Sequence, residues 1–186
     1  KMNKFLVEKL QSLGVNAVGL CGMDGKMVIA KRKNIIIVEN EGKKVLRDDY
    51  TGTIVKVNTE LLELLLGKGF LPVLCPPVIG EENEALNVDG DRLTAKIAEA
   101  FHAETVVYLS NVPGLLKDRK DESSLIKQIP KEKVDEYMKF AEDTMKKKVM
   151  GAVESLNAGV KRVVFADARI DKPISKALQG KGTVIE

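Results

Sequence analysis

Residues 91–118 have the sequence DRLTAKIAEAFHAETVVYLSNVPGLLKD, and this stretch decides the fold. Its first part, residues 91–101, carries apolar side chains at helical spacing, which predicts a helix. Residues 105–109 form a short apolar run rich in β-branched side chains, which predicts a buried strand. Small residues and a Pro-Gly pair then predict a loop over residues 110–118. A helix therefore leads into a strand, and a loop follows at the carboxyl end of that strand.

The same order of elements occurs elsewhere along the chain. An apolar strand at residues 70–75 follows a predicted helix that ends near residue 66, and a strand at 160–166 follows a long helical stretch. Apolar strands that alternate with helices are typical of a mainly parallel sheet with helices on both faces. We therefore predict an α/β fold: a three-layer αβα sandwich around a mainly parallel open sheet. The leucines within residues 61–66 are predicted to lie in its core.

An antiparallel excursion interrupts this pattern up to residue 57. Strands at residues 15–20 and 27–30, joined by a turn at Met23-Asp24-Gly25, are predicted to form a hairpin, and further strands follow it. Short strands are predicted at residues 27–30, 35–38, 45–46 and 53–57, with a turn at Glu41-Gly42. Strands joined by short turns pair as hairpins. We therefore expect an antiparallel hairpin beside the parallel sheet.

Composition excludes several classes of protein. The chain has 186 residues, of which 44% are hydrophobic and 31% charged, and this suits a single folded domain. A net charge of +3 gives no argument for nucleic-acid binding. The sequence has no apolar run long enough for a membrane span and no signal-peptide pattern. Cys21 and Cys75 lie far apart in sequence and outside any metal-binding spacing, so we expect no disulfide and a cytoplasmic protein.

Ligands of open parallel sheets bind beyond the carboxyl ends of the strands, where helix N-termini present free N–H groups. One candidate loop at such a place, residues 80–91, clusters Asn87, Asp89 and Asp91. These side chains could hold a ligand, but they could equally form a turn that caps the next helix, with Asp91 as the N-cap. The residues alone leave both interpretations open.

Two further elements could contribute to a site. The loop Ser110–Asp118 could wrap a nucleotide, although a strand-end turn of this kind is also common in proteins that bind nothing. The run Lys146-Lys147-Lys148 lies on a predicted helix, where three successive residues point in different directions. At least one of these lysines is expected to point inward, and an ammonium group there suits phosphate oxygens.

Three separated segments, in this order, resemble the nucleotide-binding half of the amino acid kinase family, and most of all its acetylglutamate kinase branch. They are NVDGDRLTAKIAEAF at 87–101, ETVVYLSNVPGLLKD at 104–118 and TMKKKVMGAVESLNAGVKRVVF at 144–165. Residues 14–33 and 48–76 fit the same branch. DDYTGTIVKVN and LNVDGDR, with the Lys-Arg-Lys run, are most similar to the variant kinase that acts on aminoadipate or glutamate attached to an acidic amino-group carrier protein, in lysine and sometimes arginine synthesis.

The resemblance implies a role for each matching residue. Asn87 would hold the acidic substrate, Asp91 would orient the catalytic lysines, and Lys148 would stabilise the phosphoryl group during its transfer. ATP and Mg²⁺ are the implied cofactors. The residues expected to bind the nucleotide are Ser110, Asn111, Val112, Gly114, Leu115, Leu116 and Met145.

The family pattern also indicates how the chain is organised. Residues 1–80 match the substrate and dimerisation lobe of a single domain, and residues 81–186 match the nucleotide-binding lobe. The family's first strand, which carries a catalytic lysine and a glycine pair, has no counterpart here, so we expect an N-terminally incomplete kinase domain. Asn111 stands where many relatives have aspartate, and Cys21 stands where serine is usual.

The implied activity is ATP-dependent phosphorylation of the side-chain carboxylate of carrier-bound aminoadipate or glutamate. The alternatives are an acetylglutamate kinase that acts on the free amino acid derivative and a nucleotide-binding regulatory subunit without catalysis. The implied partners are an acidic carrier protein and a second copy of the chain, since helix 1–13 corresponds to a helix that pairs across a two-fold axis in related kinases. The carrier would dock on a basic patch, although the same residues could be merely solvated. These residues are Lys31, Arg32, Lys33, Lys43, Lys44 and Arg47.

Overall fold

A computed structural model describes residues 1–40 and 43–186, with the side chains of residues 1–33, 49–142 and 144–186. The chain divides into two compact units, residues 1–93 and residues 94–186. Each unit contains its own helices, strands and buried apolar side chains.

The first unit contains two sets of paired strands. Strand β1 pairs in parallel with β4, while a second sheet has the order β3-β2-β5-β6, in which β2 and β5 are parallel and the other pairs are antiparallel. A short 3₁₀ turn at Asp24–Lys26 joins β1 to β2, and helix α3 begins in this unit and ends in the second. The elements are α1 (Met2–Ser12), β1 (Ala17–Cys21), β2 (Val28–Asn40), β3 (Lys43–Val57), α2 (Glu60–Gly67), β4 (Leu71–Cys75), β5 (Val78–Gly80), β6 (Ala85–Leu86) and α3 (Gly90–Ala100).

The prediction that residues 15–20 and 27–30 form a hairpin was wrong, because β1 pairs in parallel with β4 while β2 belongs to the other sheet. The antiparallel excursion is present, but it consists of two long strands instead of several short ones. β2 and β3 pair antiparallel from Val28 opposite Val57 to Asn40 opposite Lys43. Register shifts after Ile29 and after Arg32 accommodate the irregular apolar pattern that had suggested separate strands. Residues 41 and 42, the predicted turn, lie outside the described residues.

The leucine run of α2 was only partly predicted. Leu62 is buried, whereas Leu64 and Leu66 are 59% and 48% exposed. A short helix that packs one face against β4 cannot bury every member of an almost unbroken leucine run. The prediction that this run lies in the core was therefore wrong for these two residues.

The two cysteines are neighbours in space, which their separation in sequence did not indicate. Cys21 and Cys75 are paired residues at the ends of β1 and β4, and both thiols are free and partly exposed. Burial raises the pKa of the Cys75 thiol above its usual value, and the adjacent Cys21 raises it further.

The second unit is built on one mixed sheet with strand order β7-β9-β10-β8. β7 and β9 are parallel, β9 and β10 are antiparallel, and β10 and β8 are parallel. Within residues 1–40 and 43–186, none of the helices has the length and apolar character that a membrane span requires. The elements are β7 (Thr105–Ser110), β8 (Gln128–Ile129), α4 (Val134–Tyr137), α5 (Asp143–Asn157), β9 (Arg162–Asp167), α6 (Pro173–Leu178) and β10 (Thr183–Ile185), with 3₁₀ turns at Glu122–Ser124, Lys131–Lys133 and Met138–Phe140.

Helices cover both faces of this sheet. Val163 and Phe165 point to one face and pack in the cluster that contains Val149 of α5. Val164, which lies between them, points to the other face and packs with Ala177 of α6. The second unit is thus a three-layer αβα arrangement, and the predicted α/β class is confirmed.

Candidate active site

The candidate site forms where β7 and β9 end. Because the two strands are parallel and in register, Ser110 and Asp167 lie side by side at the same edge of the sheet. Open α/β sheets bind ligands at this carboxyl edge. The loop that starts at Ser110 therefore leaves the sheet at the place where the fold presents ligands.

A buried hydroxyl fixes that loop. The backbone N–H of Leu115 donates to Oγ1 of Thr183 at 2.8 Å, and the same hydroxyl donates to the carbonyl oxygen of Ile126 at 2.6 Å. Gly114 has a φ of 155°, and a Cβ at that position would lie 2.5 Å from Thr183 Oγ1. Glycine is therefore required here both by the backbone conformation and by the close approach of β10.

The loop and the start of α5 enclose a cavity of about 220 Å³. Every residue predicted to bind the nucleotide lines it, together with Lys148, although these residues come from two segments about 30 positions apart in sequence. The lining residues are Ser110, Asn111, Val112, Gly114, Leu115, Leu116, Lys117, Arg119, Lys139, Phe140, Glu142, Thr144, Met145 and Lys148.

The three successive lysines of α5 have different surroundings. Lys146 and Lys147 are exposed, whereas Lys148 is half-buried and lines the cavity. Nζ of Lys148 lies 5.6 Å from the centroid of the Tyr108 ring, which belongs to β7. One lysine of the run thus points inward, as the helical spacing predicted.

The cavity has an excess of positive charge. Lys117, Arg119 and Lys139 line it in addition to Lys148, and Glu142 lies 3.6 Å from Arg119 in an exposed ion pair. Exposed ion pairs of this kind contribute little to stability. A polyanionic ligand would therefore find several cations, exposed apart from Lys148, around one apolar wall formed by Leu115 and Leu116.

An ion-pair cluster fixes the neighbouring strand end. The guanidinium of Arg169 donates two hydrogen bonds to the buried carboxylate of Asp167, at 2.8 and 2.7 Å, and a third to Glu122 at 2.8 Å. The side-chain hydrogen bonds from Arg169 lower the pKa of Asp167 from its usual 3.8 to about 2. This cluster links the end of β9 to the 3₁₀ turn at Glu122–Ser124, which belongs to the same long connection as the cavity loop.

Asn87, the predicted substrate residue, lies in the first unit. Its backbone N–H donates to the carbonyl oxygen of Tyr50, and its own carbonyl oxygen accepts from the N–H of Gly52. Leu86 and Val88 on either side are buried, so the strand-like alternation leaves Asn87 exposed. The backbone of Asn87 is therefore fixed against β3 while its amide side chain faces solvent.

Asp91 also lies in the first unit, and the alternative interpretation of this loop, with Asp91 as the N-cap, was wrong. The carboxylate of Asp89 accepts from the backbone N–H groups of Asp91 and Arg92, at 3.0 and 3.3 Å, so Asp89 caps α3. Asp91 is a half-buried residue in the first turn of that helix. The sequence pattern had placed the helix start one residue too late and the capping carboxylate two residues too late.

Part of the predicted basic patch can be located. Lys31 and Lys33 are exposed, whereas Arg32 is half-buried, stacks 3.7 Å from the centroid of the Tyr50 ring and donates to the carbonyl oxygen of Asp49. The backbones of Lys43, Lys44 and Arg47 belong to β3, opposite residues 36–40 of β2. The side chains of Lys43, Lys44 and Arg47 lie outside the described residues.

Sequence reasoning missed several residues that shape the cavity. Lys117 lies within the predicted loop 110–118 and Arg119 directly follows it, so the loop itself could have indicated them. Thr183 is 68 residues from Leu115, and no local pattern connects the two. Tyr108 was assigned only to a buried strand, although its ring faces Lys148.

The hydroxyl of Thr183 gives the first prediction. In Thr183→Val the buried N–H of Leu115 loses its acceptor, so the free energy of unfolding should fall by about 1–3 kcal/mol. Thr183→Ser keeps the hydroxyl and serves as the control. Denaturant unfolding measures the difference, and amide hydrogen exchange should show Leu115 exchanging faster in the valine variant only. Equal stability of Thr183→Val and the wild type would contradict the role of the hydroxyl.

The Asp167–Arg169 pair predicts a dependence of stability on pH. A carboxyl whose folded pKa is lowered stabilises the fold above its unfolded pKa, and that contribution is lost as the pH falls through the folded pKa. Arg169→Gln should therefore raise the pKa of Asp167, and the stability difference from the wild type should shrink between about pH 4 and pH 2. NMR titration and unfolding at several pH values test this, and a difference that stays constant over that range would contradict it.

Comparison with known proteins extends these observations. The chain is 54% identical to a LysW-aminoadipate kinase of Thermus thermophilus over 99% of this chain and 70% of that protein. It is 60% identical to a LysW-aminoadipate kinase of Deinococcus radiodurans over its whole length and 64% of that protein. The chain thus spans about two thirds of the length of these two relatives.

A solved structure shares the fold, and the sequence identifies the family. The crystal structure of smu.665 from Streptococcus mutans superposes with a TM-score of 0.76 at 23% identity, over 98% of this chain and 65% of that one, which shows a shared fold. The model of the amino acid kinase family matches residues 1–167. The chain therefore belongs to the amino acid kinase family of phosphotransferases.

Proposed function

We propose that the protein transfers the γ-phosphoryl group of ATP to the side-chain carboxylate of an acidic amino acid whose amino group is blocked. The proposed acceptor is aminoadipate carried by an acidic amino-group carrier protein, in lysine biosynthesis. A carboxylate oxygen attacks the γ-phosphorus, the bond from that phosphorus to the β,γ-bridging oxygen breaks, and the products are an acyl phosphate and ADP. Carrier-bound glutamate, an arginine precursor, is included as a second acceptor of the same kind.

The observation that carries the proposal is the cavity of the second unit. The loop after β7 supplies the apolar wall of Leu115 and Leu116, while α5 supplies Lys148. An apolar wall beside several cations suits a ligand with a planar base at one end and phosphates at the other. ATP has this chemistry.

Phosphoryl transfer requires few catalytic groups from the protein. Phosphoryl transfer needs alignment of the reactants and positive charge around the transferred group, with little covalent help. Lys148 is the half-buried ammonium of the cavity, so we assign it the neutralisation of charge that develops on the γ-phosphate. Over the described residues no three His, Cys, Asp or Glu side chains group as a metal site, and Mg²⁺ that accompanies ATP takes much of its coordination from phosphate oxygens and water.

The acidic substrate is assigned to residues of the first unit. Asn87 has a fixed backbone and an exposed amide, which suits a residue that holds a carboxylate by donating hydrogen bonds. Asp91, in the first turn of α3, is assigned the orientation of the catalytic lysine that the family resemblance implies.

The identity of the acceptor is supported by the relatives. The proteins of Thermus thermophilus and Deinococcus radiodurans, at 54% and 60% identity, are both named for LysW-aminoadipate. The exposed Lys31 and Lys33 beside the stacked Arg32 offer positive charge to an acidic carrier. We extend the docking surface along the hairpin to Lys43, Lys44 and Arg47.

A homodimer is part of the proposal. Helix α1 has no buried residue, and its apolar side chains Met2, Phe5 and Leu6 are 77%, 53% and 49% exposed. Apolar side chains on one helix favour a partner surface of the same kind across a two-fold axis. Light scattering of the full-length protein measures the mass, and a monomer at micromolar concentration would contradict this assignment.

Replacement of Lys148 tests the assignment of the catalytic charge. Lys148→Ala should lower kcat by about 10²–10³, because one preorganised charge at the transferring group is removed. Lys146→Ala, on an exposed position of the same helix, should leave kcat near the wild-type value. ADP release under saturating ATP is the measurement, and an unchanged kcat in Lys148→Ala would remove this residue from the mechanism.

A comparison of acceptors tests the substrate. We expect ATP turnover with carrier-bound aminoadipate, less with carrier-bound glutamate and little with free N-acetylglutamate. If the basic patch docks the carrier, added salt should raise KM for carrier-bound acceptors and leave KM for ATP nearly constant. Highest kcat/KM on N-acetylglutamate would favour the acetylglutamate kinase alternative, and ATP binding without any turnover would favour a regulatory subunit.

A further inference from the structure

We propose that Tyr108 is the positioning residue for Lys148: the face of its ring holds the lysine ammonium at the cavity, in line with the loop that starts at Ser110. This inference rests on the proposed function, because it assigns a role within the same site. It adds a residue to which the family resemblance assigns no role, since Tyr108 lies in the strand part of the segment 104–118 and before the loop.

The contact is a cation–π interaction. Nζ of Lys148 lies 5.6 Å from the ring centroid of Tyr108. An ammonium within about 6 Å of an aromatic face is attracted by the negative charge of that face, and the attraction grows when the pair is shielded from water. Tyr108 is 5% exposed and Lys148 is half-buried, so this pair is partly shielded.

The ring cannot easily change its place. Tyr108 of β7 is the register partner of Phe165 of β9, and the two ring centroids are 5.6 Å apart with planes at 39°. Phe165 is fully buried, and both rings belong to the cluster that contains Val149 and Ala152 of α5. The strand pair and the helix together restrain the surface on which the ammonium rests.

The position of Tyr108 in β7 allows its ring to hold the Lys148 ammonium at a fixed place relative to the cavity loop. Only one residue of β7 separates Tyr108 from Ser110. The ring and the start of the cavity loop therefore belong to one rigid segment of backbone. A lysine side chain has four rotatable bonds and loses much freedom when its end is fixed. The ring therefore sets the distance between the ammonium and the loop before any ligand binds.

An aliphatic side chain could fill the same space without holding the charge. Val106, two residues earlier on the same face of β7, is buried in the same cluster and shows that the strand accepts an aliphatic residue there. Loss of the ring should weaken the packing of this cluster and also release the ammonium, so a packing control is needed to separate the two effects. The expected signature is a change in kcat with little change in KM for ATP.

The experiment compares Tyr108→Leu, Tyr108→Phe and Val106→Ala in the full-length protein, with carrier-bound aminoadipate as acceptor. Tyr108→Leu should lower kcat about ten-fold, which corresponds to about 1.4 kcal/mol of transition-state stabilisation. Tyr108→Phe keeps the ring and should retain at least half of the wild-type kcat. Val106→Ala is the control for packing: its melting temperature should fall, while its kcat should stay near that of the wild type.

Two further measurements separate positioning from structure. In the Lys148→Ala background, Tyr108→Leu should cause no further loss of kcat, because the two residues act through one contact. Fluorinated phenylalanines at position 108 weaken the negative face of the ring at nearly constant shape, so kcat should fall with each added fluorine relative to Tyr108→Phe. The fluorinated series also answers the question if the leucine variant does not fold.

The outcomes distinguish this inference from the proposed function. A wild-type protein that turns over no acceptor overturns the proposed function, and the inference with it. An active wild type whose kcat is insensitive to fluorination, or whose Tyr108→Leu loss is no larger than that of Val106→Ala, overturns only the role of Tyr108. Equal losses from Tyr108→Leu with and without Lys148 would likewise show that the ring acts elsewhere.

Discussion

The parallel pairing of β7 with β9 is the constraint on which the cavity depends. Their in-register ladder puts Ser110 beside Asp167, so the cavity loop and the Arg169 ion-pair cluster start from neighbouring points at one edge. The ladder is held from both faces, because successive residues of β9 pack alternately towards α5 and α6. A side chain on α5 is therefore placed relative to the loop by packing in the core, which resists displacement far more strongly than surface contacts do.

The loop itself has the composition of a flexible segment, yet it is held at both ends and near its middle. The carbonyl oxygen of Leu115 accepts from the backbone N–H of Ile126, and the hydroxyl of Thr183 joins the N–H of Leu115 to the carbonyl oxygen of that same residue. Each of these bonds adds only about 1 kcal/mol on its own. β10 and the 3₁₀ turn at Glu122–Ser124 already reduce the conformational entropy of this loop. The hydrogen bonds then close it at a smaller entropic cost. A loop held in this way needs little reorganisation when a ligand binds.

The sequence predicted the features that are determined by residues close to one another along the chain. Strand ends, the helical phase of the lysine run and the Gly114 turn all follow from side chains within a few residues, and each is found in the structure. The start of α3 was misplaced because Asp89 and Asp91 offer equivalent capping carboxylates, and only the backbone path selects between them. The contacts of Thr183 and Arg169, and the meeting of Cys21 with Cys75, join distant segments. Pairings of this kind depend on which strands become neighbours, and propensities do not encode that choice.

The electrostatics of the cavity also explain why one lysine of three matters. All three carry the same charge, but only the half-buried Lys148 is partly removed from water, where a charge interacts more strongly with a ligand. Lys117, Arg119 and Lys139 line the same space from other segments, and Glu142 offsets only part of their charge. Cations held close together repel one another, so a bound polyanion reduces the electrostatic repulsion that is present in the free protein. The cavity should therefore bind a ligand with several phosphates more tightly than a neutral nucleoside, by more than any single contact contributes. Added salt should weaken this preference, because it screens the exposed cations more than the half-buried Lys148.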